Sequence, residues 1–109
     1  YLRTSMSVQD RLSTLTQVPV GIAMKGSPDF PQCGFSAKAI AVLRQAGAQK
    51  IAHINVLDEP EVRAGLPQLT QWPTFPQIFV GGEFIGGCDI TVEMFQNGEL
   101  AQQISAAQA

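Results

Sequence analysis

The stretch KGSPDFPQCGFS, residues 25–36, constrains this chain more than any other. A mostly apolar run, residues 18–24, leads into Lys25 and suits a buried strand. Gly26, Pro28 and Pro31 forbid its continuation. From Gly34 the apolar spacing turns helical, with Phe35, Ile40, Leu43 and Ala46 on one face, and Gly47 stands where a helix C-terminal glycine belongs. A strand end, a stiff loop and a helix start therefore meet at Cys33.

That placement has a chemical consequence. Unpaired N–H groups and the helix dipole favour a negative sulfur at a helix N-terminus. Lys25 adds a nearby cation. Together they pull the Cys33 thiol below its free value of about 8.5. The thiolate is both nucleophile and metal ligand, so the site suits either role. The competing reading of Cys33, a small buried hydrophobe, fits poorly with a polar, Pro/Gly-rich loop. Position 36 is Ser, so no disulfide can close across the motif. A redox cycle must borrow a sulfur from a small thiol or from Cys88.

The rest of the chain reads as scaffold. Residues 7–17 form a helix with Val8, Leu12 and Leu15 on one face; residues 51–56 form a second strand. Asp58, Glu59 and Pro60 open a short helix carrying Arg63. It breaks near Gly65 and Pro67, with one further turn over 66–71. Residues 72–76, WPTFP, make a stiff connector into a third strand, 77–80. Gly81-Gly82 signals a tight hairpin and an antiparallel return over 83–85. Asp89 is the N-cap of a helix over 90–97, ended by Gly98, and residues 99–107 add a helical tail.

A chain of 109 residues with 45% hydrophobic and 15% charged residues supports one domain with a normal small core. A net charge of −2 argues against a nucleic-acid or anionic-membrane surface. No apolar run approaches the roughly 20 residues of a membrane span. Two cysteines are too few for a disulfide scaffold and fit a reducing compartment. Residues 1–6 read as an N-terminal extension, a remnant ahead of a native start at Met6 or the tail of a cleaved transit sequence. Residues 7–109 form the single domain.

Three motifs in order, KGSPxxPxCGFS, WPTFPQIFV and GGCDI, resemble the monothiol (CGFS-type) glutaredoxin family. The resemblance runs from about Asp10 to about Ile104. It implies an α/β, thioredoxin-like fold, a four-stranded mixed sheet flanked by helices; the element order supports the same architecture.

The resemblance also implies a glutathione site. Lys25, by itself an ordinary strand-end lysine, pairs with a glutathione carboxylate in that family. Pro76, by itself a turn proline, matches a cis-proline that frees the backbone of the preceding residue to pair with an extended peptide; here that residue is Phe75. Cys88 and Asp89, opened by Gly86-Gly87, match the pair that receives the γ-glutamyl group, a role compatible with capping. Arg63, otherwise a solvated helix residue, matches a second cation for the glycyl carboxylate, with Gln71 as a further helper. Phe35 and Trp72 are either exposed apolar surface beside the cysteine or plain packing. His53 reads as structural.

Two functions follow. The resemblance implies an iron–sulfur carrier. One Cys33 thiolate per subunit gives a homodimer half the ligands a [2Fe–2S] cluster takes; two glutathione thiolates complete the set. The apo form is then monomeric, the cluster labile, and the partners include a BolA-like protein and recipient iron–sulfur apoproteins. The resemblance leaves a bacterial cytoplasm first, with a mitochondrial matrix or plastid stroma as alternatives. The second function is a glutathione-dependent thiol–disulfide oxidoreductase, with Cys33 attacking and glutathione or Cys88 resolving. CGFS members are generally poor at this reaction and carry a longer loop before the cysteine, as here. An interaction module that uses neither cysteine would leave Lys25, Pro76 and Asp89 unexplained.

Overall fold

The computed structural model describes residues 7–109. The expected N-terminal extension, residues 1–6, lies outside the described residues. The elements run α1 (Val8–Thr16), β1 (Val20–Met24), α2 (Gly34–Gln45), β2 (Ala52–Asn55), α3 (Pro60–Thr70), β3 (Gln77–Val80), β4 (Glu83–Gly86), α4 (Cys88–Gln96) and α5 (Glu99–Gln108). The sheet order is β2-β1-β3-β4. The β1–β2 pair is parallel, joined through α2; β1–β3 and β3–β4 are antiparallel. This is the mixed four-stranded sheet expected, with helices on both faces.

Alternation along the central strands splits the core in two. Val20, Ile22 and Met24 of β1 and Ile78 and Val80 of β3 pack with α2 and α5 through Ile40, Leu43, Leu100 and Ile104. Ala23 and Phe79 point the other way, toward Leu15 of α1 and Val62 and Leu66 of α3. Both central strands are buried on both faces, which explains their near-continuous apolar sequence. Gly21 is required by this packing: a Cβ there would lie 2.6 Å from the Leu15 carbonyl oxygen.

Helix α1 starts on a capping box. The Ser7 hydroxyl accepts from the Asp10 N–H at 3.0 Å, and the Asp10 carboxylate accepts from the Ser7 N–H at 3.4 Å. Arg11 of α1 forms a two-point ion pair with Glu59, both bonds 2.7 Å, tying α1 to the start of α3. The β3–β4 hairpin turns on Gly81 and Gly82, both at positive φ (60° and 85°), as the sequence signal requires.

Two expectations fail. Helix α3 does not break at Gly65 and Pro67 but runs on to Thr70. Gly65 is a close-approach point, where a Cβ would sit 2.8 Å from Val8 Cγ2 of α1. Pro67 is absorbed within the helix, which ends instead at Gln71, in the left-handed region at φ 58°, whose N–H donates to the Pro67 carbonyl. Asp89 is not an N-cap either. Helix α4 begins at Cys88, two residues earlier than expected, with Gly87 in the cap position. Gly86, at φ 130°, makes the turn that advances the start.

Candidate functional site

The Cys33 sulfur sits where β1, a folded-back loop and α2 converge. The loop, residues 26–32, is closed on itself: the Gln32 N–H donates to the Lys25 carbonyl at 2.8 Å, and Ser27 and Phe30 exchange backbone hydrogen bonds. Asn55 of β2 anchors the loop start by accepting from the Gly26 N–H at 3.0 Å. The far end is tied to α2 by an Arg44–Asp29 ion pair at 3.0 Å. Cys33 follows in extended conformation as the N-cap of α2 (φ −150°, ψ 138°). It is partly exposed, as a reacting thiol must be.

The neutral thiol makes no cap hydrogen bond, so the first N–H groups of α2 remain available to a charged sulfur. The Cys33 pKa is lowered, first by the Ser36 N–H; burial opposes this next, and the Phe35 N–H and then the Lys25 charge lower it further. In the sequence, Ser36 shows only as the absence of a second cysteine. It is fully buried, supplies the N–H that matters most, and its hydroxyl accepts from the Lys25 N–H at 3.3 Å, locking the strand end to the helix start.

A groove of about 660 Å³ opens beside this sulfur. All six residues singled out in the sequence, Lys25, Cys33, Arg63, Phe75, Cys88 and Asp89, line it, together with Phe35, Trp72 and Ile90. They come from four separate parts of the chain. The Phe75–Pro76 peptide is cis. Neither Lys25 nor Arg63 forms an ion pair among the described residues. Asp89 is exposed in the first turn of α4. Gln71 is not brought in: its side-chain amide donates to the Gln68 carbonyl at 2.7 Å. His53, exposed on β2, faces a separate hollow near Phe30 and Arg44.

Cys88, the first residue of α4, is buried, and both cysteines are free. Burial raises its pKa, and neighbouring Asp89 and Cys33 raise it further, with Lys38 opposing. The two thiols of one groove are thus driven in opposite directions. Phe35 and Ile90 are exposed at the rim, 63% and 36% respectively, while Trp72 is packed edge-on against Phe84. Gly87 also lines the groove; a Cβ there would lie 3.0 Å from Trp72 Nε1. Among the described residues no group of three or more His, Cys, Asp or Glu side chains is placed to hold a metal.

The glutaredoxin family matches residues 20–85, from β1 into β4. The chain belongs to the glutaredoxin family. It is 44% identical over 105 residues to glutaredoxin 4 of Escherichia coli K12, covering 96% of this chain and 90% of that protein. It is 43% identical over 113 residues to the mitochondrial monothiol glutaredoxin-5 of Saccharomyces cerevisiae, covering 100% of this chain and 73% of that protein. Among solved structures it resembles a buckwheat glutaredoxin–glutathione complex, with a TM-score of 0.80, 27% identity and coverage of 94% and 90% of the two chains. The loop before α2 here offers a single cysteine, Cys33. No helix among the described residues is long and apolar enough to cross a membrane.

Proposed function

We propose that this glutaredoxin binds glutathione in the groove and carries a labile [2Fe–2S] cluster between two copies of itself. The observation that carries the reading is the Cys33 sulfur: partly exposed, favoured as a thiolate, and set in a groove with two cations that form no ion pair among the described residues. Lys25 and Arg63 receive the glutathione carboxylates. The Phe75 backbone pairs with the cysteinyl residue, and the Cys88 and Asp89 end of α4 takes the γ-glutamyl group. The glutathione sulfur then lies beside Cys33. The chain offers one thiolate from the loop and no metal-binding cluster of its own among the described residues. In this reading the cluster is cargo held by two Cys33 thiolates and two glutathiones, a ligand set that is half small molecule and lets the cluster leave readily. BolA-like proteins and iron–sulfur apoproteins are the partners in this reading. The site of action is a reducing compartment, the bacterial cytoplasm first and the mitochondrial matrix or plastid stroma as alternatives.

The test is anaerobic reconstitution with iron and sulfide, with and without glutathione, followed by visible absorption and size-exclusion chromatography. A glutathione-dependent coloured dimer supports the carrier. A colourless monomer that still reduces glutathionylated protein supports the second reading, an oxidoreductase. In that reaction the Cys33 thiolate attacks the glutathionyl sulfur and expels the protein thiolate. A second glutathione thiolate then attacks the Cys33–glutathione disulfide, releasing glutathione disulfide and restoring Cys33. The raised pKa of Cys88 makes it a poor resolving nucleophile near neutral pH, so in this second reading the resolving thiol is glutathione.

A further inference from the structure

We propose that Gln77 is a positioning residue for this groove, its amide clamping the 72–76 connector that forms one wall; the role rests on the glutathione reading above. Gln77 opens β3 and is fully buried, beside the apolar Ile78, Phe79 and Val80. A buried amide is an expensive occupant of such a strand unless its hydrogen bonds are used. Here they are. Its Nε2 donates to the Trp72 carbonyl at 2.9 Å and to the Thr74 carbonyl at 3.3 Å.

Those two carbonyls depend on it. Residues 73 and 76 are prolines and offer no N–H, and no backbone N–H of the described residues donates to Trp72 or Thr74. The room for the side chain comes from register, since Gln77 pairs with the small Ala23 of β1. Gln77 Oε1 has no partner among the described residues. An apolar side chain of the same shape would avoid that cost and would serve a plain core position better. The useful half of the amide is the donor half, and what it holds is the connector. Trp72 and Phe75 of that connector line the groove, and Gln77 itself does not.

The substitution Gln77→Met, in the full chain, keeps the volume and removes both donors. Three readouts separate positioning from mere stability: glutathione affinity by calorimetry, emission of Trp72, which is the one tryptophan of the chain, and thermal unfolding. Glutathione binding should weaken about tenfold, the scale of one or two lost hydrogen bonds. Trp72 emission should shift to the red and quench more readily with acrylamide. The pH profile of Cys33 alkylation should stay unchanged, because the Ser36 N–H is untouched. Wild-type affinity and emission in the variant would overturn the role, whatever the melting temperature does. If the wild type itself binds no glutathione, the glutathione reading fails, and the emission change alone still reports the clamp. Should Gln77→Met not fold, nuclear magnetic resonance of the wild type decides. Slow exchange of the Gln77 side-chain amide, with a shift on adding glutathione, supports the clamp; fast exchange and no shift overturn it.

Discussion

The Ser36 N–H is the group that most favours a charged sulfur at Cys33, three residues before it. A motif serine thus does more than replace a second cysteine. It stabilises the thiolate through its backbone and holds Lys25 through its hydroxyl.

This relationship predicts the pH dependence of the two thiols. Alkylation of Cys33 should rise through an inflection below the free-thiol value of about 8.5, and that of Cys88 through one above it. Lys25→Ala should move the Cys33 inflection upward only slightly, since the helix N–H groups remain. Because the folded pKa of Cys33 lies below the unfolded one, its thiolate adds stability above the unfolded value. That contribution is lost as pH falls through the folded pKa. Iodoacetamide kinetics against pH on Cys33→Ser and Cys88→Ser variants would separate the two; an inflection for Cys33 at or above the free value would remove the helix-start argument.

Cys33→Ser should abolish cluster assembly, while Cys88→Ser should retain a cluster of the same absorption. Iron and sulfide content after anaerobic reconstitution measures both. A stoichiometric cluster in Cys33→Ser would sink the ligand assignment.

Lys25→Ala and Arg63→Ala should each weaken glutathione binding by about 1.4- to fivefold, the range of a single solvent-accessible ion pair at about 0.2–1 kcal/mol. Raising the salt concentration should weaken wild-type binding and narrow the gap to the variants. Titration calorimetry at two ionic strengths reads this directly; salt-independent binding would mean the two cations do not contact the ligand.

Gly21→Ala should destabilise the fold by about 1–3 kcal/mol through overpacking, because its Cβ would meet the Leu15 backbone, which cannot rotate away. A melting point lowered by roughly 4–8 °C per kcal/mol is the expected readout. Gly87→Ala differs: its nearest neighbours are Trp72 Nε1 at 3.0 Å and the Pro76 carbonyl at 3.3 Å, both part of the groove wall. There glutathione affinity should fall more than stability does.

Some of this was legible in the chain. The strand run ending at Lys25, the prolines of the loop, the helix spacing after Gly34 and the Gly81-Gly82 turn are local signals, and each element appears where its signal lies. Cys33 and Lys25 followed from the helix start, and the family resemblance added glutathione roles for Lys25, Arg63, Phe75, Cys88 and Asp89. Elsewhere local signals misled. Gly65 and Pro67 read as breakers, yet α3 continues because Val8 of another helix packs onto the glycine. Asp89 read as a cap, yet the backbone turn at Gly86-Gly87 starts α4 two residues early.

The sequence by itself determined that one cysteine stands at a helix start with no second cysteine in its loop, because loop-breaking residues and helical periodicity act over a few neighbours. Only the tertiary structure decided which N–H groups flank that sulfur. It also decided that Arg63, Phe75 and Asp89 share one groove with it, and that Gln77 is buried under the connector. Those facts depend on how β1, α3, β3 and α4 pack. Packing is set by complementary surfaces far apart in the chain, which no short window of sequence contains.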